Sequence, residues 1–154
     1  MDKSINYNTI TFSIIKPDAV AAGNGTAINN MLESHGFKIL LSEKKILTIN
    51  EAMFFYQEHK ERPFYNDLCK FLSSGPCIVQ VLYKNHNTIL DYRTIMGATD
   101  PKKADDNTIR KIYGDSIDHN AIHGSDSVTS SHREILCFFS ELQVYNALIS
   151  HKII

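Results

Sequence analysis

Asn120, Ala121, Ile122, His123, Gly124, Ser125, Asp126 and Ser127 form a run of small and polar residues with a histidine near its centre. The run stands immediately before a helical pattern that begins at Val128, where free backbone amides and the positive end of a helix dipole favour an anion such as phosphate. His123 offers an imidazole, which is a good nucleophile when neutral. Glu134, farther along that helix, reaches the ring only if the intervening chain turns sharply. Lys16, Arg93 and Arg110 end or flank predicted elements. If they converge, they can neutralise a polyphosphate, with Arg presenting a two-pronged donor. Each residue also has a plainer reading, because the chain carries seven His and 16 basic residues, most of which must serve surface or packing. A metal reading sets His119 and His123 on one helical face, but it lacks the glutamate of H-E-x-x-H and a third ligand. Phe64 and Leu68, at i and i+4, read as core by periodicity.

The elements that must position these residues follow from the hydrophobic pattern. From Asn8 to Ile15, Ile10, Phe12 and Ile14 alternate with Thr9, Thr11 and Ser13, the period of a strand with one buried face. Pro17 ends it. After the turn at Gly23 to Gly25, Ile28, Met31, Leu32 and His35 keep helical spacing up to Gly36, and Phe37 to Ile46 reads as a second strand. Thr48 and Glu51 are spaced as a capping box, which predicts a helix through Glu51 to His59. Pro63 suits the first turn of a further helix carrying Phe64, Leu68, Phe71 and Leu72 on one side, stopped by Gly75 and Pro76. Cys77 to Tyr83 reads as a third strand, Thr88 to Met96 as a helix, and Gly97 to Asn107 as a polar loop. Val128 to Phe139 and Leu142 to Ile149 predict two closing helices. The class is therefore α+β, with helices on one face of a small sheet whose other face is covered or wet. Strand order stays open at this point.

Composition narrows the function classes. The 154 residues carry 16 Lys plus Arg against 17 Asp plus Glu, a formal charge of −1, and 43% are hydrophobic. That balance opposes disorder and a strongly basic nucleic-acid binder, and the length suits a single compact domain over residues 1–154. An RNA-binding module presenting Phe12 or Tyr83 would also need an aromatic-basic run that is missing. The polar start, Met1 to Asn8, has no apolar signal segment, and no apolar run approaches the roughly 18 residues of a membrane helix, so a soluble, cytoplasmic protein is expected. Cys69, Cys77 and Cys137 lack C-x-x-C spacing and read as reduced packing residues.

The segment N-A-I-H-G-S-D-S at Asn120 to Ser127 resembles the active-site signature of the nucleoside diphosphate kinase family. The similarity extends through I-I-K-P-D (Ile14 to Asp18), R-P-F (Arg62 to Phe64) and S-G-P (Ser74 to Pro76). It continues in R-T-I-M-G-A-T-D-P (Arg93 to Pro101), T-I-R (Thr108 to Arg110) and R-E-I (Arg133 to Ile135), all in family order and spacing. The resemblance implies a ferredoxin-like βαββαβ fold, a four-stranded antiparallel sheet with helices packed on it. It also implies transfer of a γ-phosphoryl group from a nucleoside triphosphate to a nucleoside diphosphate, ping-pong through a phosphohistidine and with little base preference. On that resemblance His123 is the nucleophile, Glu134 holds its ring, and Ser125 bonds the carboxylate. Lys16 and Asn120 reach the ribose, with Lys16 also near the transferred phosphoryl group. Arg93, Thr99 and Arg110 hold outer phosphates, Tyr56 sits by the γ-phosphate, Phe64 stacks on the base and Leu68 borders it. Mg²⁺ is the implied cofactor, carried mainly by substrate phosphates with no protein ligand set, and the implied assembly is a homo-hexamer or homo-tetramer. Neither a membrane nor a specific nucleic acid is an expected partner. Ala19, Ala22 and Thr26 depart from the family pattern, which commonly has Gly, a basic residue and Gly there.

Overall fold

The computed structural model describes residues 4–154; Met1 to Lys3, the first part of the polar start, lie outside the described residues. Four strands, β1 (Ile10–Ile15), β2 (Lys38–Ile46), β3 (Pro76–Tyr83) and β4 (Ile122–Gly124), make one sheet in the order β2-β3-β1-β4 with every neighbouring pair antiparallel. The helices are α1 (Pro17–Ala21), α2 (Gly25–Ser34), α3 (Ile49–Phe55), α4 (Tyr65–Leu72), α5 (Thr88–Met96), α6 (Ile109–Tyr113), α7 (Val128–Phe138) and α8 (Glu141–Ser150). This is the α+β, ferredoxin-like arrangement that the motifs imply.

β1 is buried at all six positions, so the expectations of a strand with a single buried face and of helices on one face of the sheet fail for a physical reason: helices cover both sides, which settles the other face as covered and not wet. Ile10, Phe12 and Ile14 pack with α3, α4, α7 and α8, whereas Ile15 packs with α2, α5 and α6. Thr11 and Ser13 are buried although polar. Ser13 Oγ shares a 2.6 Å hydrogen bond with Tyr92 Oη, and Gln80, opposite Ser13 on β3, exchanges 3.0 Å amide bonds with Asn29. Thr/Ser alternation in β1 therefore marks a second, partly polar interior rather than solvent. The same cover removes any open sheet face for RNA, since Phe12 is fully buried and Tyr83 half-buried.

Several boundaries differ from the periodic reading. Asn6 caps a 3-10 turn at Tyr7–Thr9, which delays β1 to Ile10. The Thr48–Glu51 capping box is present in both directions, but α3 ends at Phe55 and a 3-10 turn, Gln57–His59, follows. Helix α4 starts at Tyr65, leaving Pro63 before its N-cap, Phe64. Helices α1 and α6, of five residues each, and the three-residue β4 are too short to show a period of their own. Ala19, where the family commonly has Gly, is buried on α1, and Gly23 turns the chain at φ +77° before α2.

Candidate active site

The placement of His123 follows from strand pairing. Residues opposite each other on antiparallel strands share a face, and His123 lies opposite Ile14. Its ring therefore points to the side of the sheet that carries Phe12, α3 and α7. Phe55 meets it edge-on at 5.1 Å between ring centroids, with Tyr56 at 6.3 Å and Phe12 at 6.4 Å. Nε2 of His123 lies 2.6 Å from Oε1 of Glu134 on α7, and Ser125 Oγ donates to the same oxygen at 3.1 Å. An ionised carboxylate only accepts hydrogen bonds, so this contact places the ring proton on Nε2 and leaves the lone pair on Nδ1. The His123 side chain keeps 22% of its surface exposed, whereas that of Glu134 keeps 7%. The carboxylate is thus sheltered while the ring keeps part of its surface open to solvent.

Behind the ring, the sheet is shaped to let β4 approach α5. A Cβ on Gly124 would meet Met96 Sδ and, at 2.7 Å, Tyr92 Cε2. Tyr92 Oη also donates to the His123 carbonyl at 3.4 Å, which anchors the strand from its opposite face. Arg133, one residue before Glu134, donates from Nε to Glu58 at 2.8 Å and from Nη2 to the Phe55 carbonyl at 2.8 Å. It ties α7 to the segment that carries Tyr56.

A second group gathers around Lys16. Its Nζ donates to Asn120 Oδ1 at 2.9 Å, and Asn120 Nδ2 donates to the Thr99 carbonyl at 3.1 Å. Burial lowers the Lys16 pKa to about 8, with Arg110 adding to the fall and Asp18 opposing it. Arg110 is itself buried, donating to the carbonyls of Gly97 at 3.2 Å and Ile122 at 2.9 Å, while its Nε has no protein partner. Desolvation, followed by the charge of Arg93, holds its pKa below the usual value. A guanidinium kept this dry with a donor left over is a poor structural ion and a good anion receptor. Tyr56 is buried, and that burial, with the nearby charge of Glu134, pushes its hydroxyl pKa up. Arg93 and Thr99 are exposed, as is Phe64 at 47%, with the His59 ring 6.0 Å away; Leu68 is half-buried. Periodicity placed Phe64 in the core, yet it caps α4 with its ring in solvent.

The chain matches the family model for nucleoside diphosphate kinase over residues 9–144. The chain belongs to the nucleoside diphosphate kinase family. It is 48% identical over 134 residues to the nucleoside diphosphate kinase of Wolbachia pipientis subsp. Culex pipiens, covering 87% of this chain and 96% of that one. Identity is likewise 48% to that of Chlorobaculum tepidum, over 87% of this chain and 95% of the relative. Among solved structures, the Aquifex aeolicus nucleoside diphosphate kinase superposes with a TM-score of 0.85 at 38% identity, covering 88% of this chain and 97% of that one. The Halobacterium salinarum nucleoside diphosphate kinase, solved in complex with CDP, gives 0.83 at 34% identity over 88% and 90%.

Against the family signature, the structure brings His123, Glu134 and Ser125 into one hydrogen-bonded group, and Lys16, Asn120 and the Thr99 backbone into another. The alternative pairing of His119 with His123 fails because the segment between them is not helical and His119 instead stacks on Phe71 at 4.5 Å. No group of three or more His, Cys, Asp or Glu among the described residues could hold a metal ion. No helix among them is long and apolar enough to cross a membrane. A cavity of about 400 Å³ lined by residues such as Phe37, Lys84, Asp91 and Ile95 lies on the other side of the sheet from the His123 ring. Its Lys84–Asp91 ion pair is closed on itself at 2.7 Å and offers no nucleophile. Sequence reasoning gave no part to Tyr92 and no individual role to Gly124 or Arg133, which stood there only as members of motifs; their contacts are made across the fold.

Proposed function

We propose that the protein is a nucleoside diphosphate kinase that moves the γ-phosphoryl group of a nucleoside triphosphate to a nucleoside diphosphate through phosphorylated His123. The observation that carries the reading is the 2.6 Å contact between Nε2 of His123 and Glu134, which leaves Nδ1 as the free nucleophile. In the first half-reaction the Nδ1 lone pair attacks the γ-phosphorus. An N–P bond forms as the bridging P–O bond breaks, and the electron pair departs on the β-phosphate of the leaving diphosphate. In the second, a terminal β-phosphate oxygen of the acceptor attacks the same phosphorus and the N–P electrons return to Nδ1. Dividing the transfer lets one site serve donor and acceptor in turn.

Phosphoryl transfer has a loose transition state with charge spread over three equatorial oxygens, so positioning and neutralisation supply most of the rate. In this reading Lys16 faces the transferred group and, with Asn120, the ribose hydroxyls. Arg93, Thr99 and Arg110 take the outer phosphates, Tyr56 lies by the γ-phosphate, and Phe64 stacks on the base with Leu68 at its border. Lys16, Arg93 and Arg110 form a cationic set that suits phosphate oxygens and not a bare cation, so Mg²⁺ belongs on the nucleotide. Bound there, Mg²⁺ neutralises polyphosphate charge. An exposed aromatic ring reads a π-face and no base edge, in keeping with low base specificity and with the CDP held by the Halobacterium salinarum relative.

The whole chain, residues 1–154, acts as one such domain in the cytoplasm, where three free cysteines suit a reducing milieu. It assembles as a homo-hexamer or homo-tetramer. Supporting this, β2 is an edge strand, and Ile46 at its end is 69% exposed with Phe54 on α3 at 58%. Light scattering reads the subunit count. To test the activity, the protein is mixed with γ-labelled ATP and Mg²⁺ without acceptor. Acid-labile, alkali-stable label should appear on the protein and be chased by ADP, GDP or CDP at comparable rates. Absence of label, or its retention in His123→Ala, overturns the reading.

A further inference from the structure

Ala121, the residue two before His123 and one after Asn120, has φ +74°, a left-handed conformation that costs a residue bearing a Cβ. Around it the Ile122 N–H bonds back to the Asn120 carbonyl at 2.9 Å, closing a three-residue γ-turn of the strained, positive-φ form. Such a conformation persists only where its surroundings hold it. Here both polar groups of Ala121 are taken by one motif. Its N–H donates to Asp18 Oδ2 at 3.0 Å, and its carbonyl accepts the Lys16 N–H at 2.8 Å. Ala121 itself is fully buried, so neither group has water as an alternative partner.

We propose that Asp18 is a positioning residue for phosphoryl transfer: its carboxylate clips the Ala121 γ-turn in place and so sets Asn120 and His123 in register with Lys16. The proposal rests on the His123 reading above and extends it to a residue that touches neither substrate nor the reacting atoms. Without the Asp18 acceptor, the buried Ala121 N–H is orphaned, and residue 121 relaxes toward negative φ. That rotation swings Asn120 relative to β4, separating the Lys16–Asn120 bond from the His123 ring. Toward Ala121 the carboxylate acts as a hydrogen-bond acceptor, so a neutral acceptor of the same shape should replace it in the clip; its charge acts separately, by raising the Lys16 pKa. Glycine at residue 121 should make the clip dispensable, since it adopts positive φ without a Cβ penalty.

The test is single-turnover labelling of His123 by γ-labelled ATP with Mg²⁺ at pH 7, alongside thermal unfolding. It compares wild type, Asp18→Asn, Asp18→Ala, Ala121→Gly and the double variant Asp18→Ala/Ala121→Gly. Asp18→Ala is expected to slow labelling by about tenfold or more. Asp18→Asn and Ala121→Gly should stay close to wild type, and the double variant should recover most of the lost rate. An unchanged rate in Asp18→Ala, an equal loss in Asp18→Asn, or no recovery in the double variant overturns the proposal. If Asp18→Ala does not fold, a folded and active double variant supports the clip and an inactive one overturns it. Wild-type protein that takes up no label refutes the His123 reading itself, an outcome distinct from labelled wild type whose Asp18 variants behave alike.

Discussion

Glu134 Oε1 stands 2.6 Å from His123 Nε2, although the two residues come from different elements, α7 and β4. The carboxylate also accepts from Ser125, so its position is fixed from two sides before any ligand arrives. Glu134→Ala frees the ring to rotate and removes a charged hydrogen bond of about 1.5 to 3 kcal/mol. His123 labelling by γ-labelled ATP should slow by about tenfold to a hundredfold. Rapid-quench kinetics read this directly, and an unchanged rate would refute the orienting role.

Arg110 combines burial, two carbonyl contacts and a spare Nε donor. Arg110→Ala should lower kcat/KM by the equivalent of about 1.5 to 3 kcal/mol, the range of a charged hydrogen bond to phosphate. Arg110→Lys should recover little, because a single ammonium cannot span both carbonyls and still face an anion. Full activity in either variant contradicts the anchor.

Lys16 links pH to activity and stability with opposite signs. Its folded pKa of about 8 lies below the 10.5 of a solvated lysine. As pH rises through about 8 the free enzyme loses the cation proposed to face phosphate, so kcat/KM should fall on that alkaline limb. Between about pH 8 and 10.5 the unfolded chain binds a proton that the folded chain has shed, so this group's contribution favours folding increasingly across that window. Below about 8 the buried charge costs stability throughout. A kcat/KM profile for Lys16→Met with the same alkaline limb would remove Lys16 as its source.

Gly124 lies where β4 crosses closest to α5. Gly124→Ala drives a methyl into Met96 and Tyr92, an overpacking expected to cost about 1 to 3 kcal/mol. Backbone displacement there also shifts the neighbouring His123. Both the unfolding midpoint and the labelling rate should drop; a variant with wild-type values in both would show that α5 yields freely.

Much of the candidate site was legible along the chain because its residues fall in local runs. The N-A-I-H-G-S-D-S segment, K-P-D and T-I-R each keep their candidate site residues within a few positions, and alternation in β1 and β3 revealed the two strands at the centre of the sheet. The Thr48–Glu51 cap was equally local, since its two hydrogen bonds close within four residues.

Other features have no local cause. β4 pairs only three residues with β1, too few to show alternation, and only tertiary pairing turns His123 toward Glu134. The burial of Thr11 and Ser13 depends on helices from distant parts of the chain closing the second face of the sheet. Phe64 looks like core in a helical stripe but is exposed because α4 begins one residue later, at Tyr65. Residue types and spacing thus determined which groups could perform phosphoryl chemistry. Their convergence was decided by the fold, because hydrogen bonds such as Lys16–Asn120 join residues 104 positions apart that no periodic pattern connects.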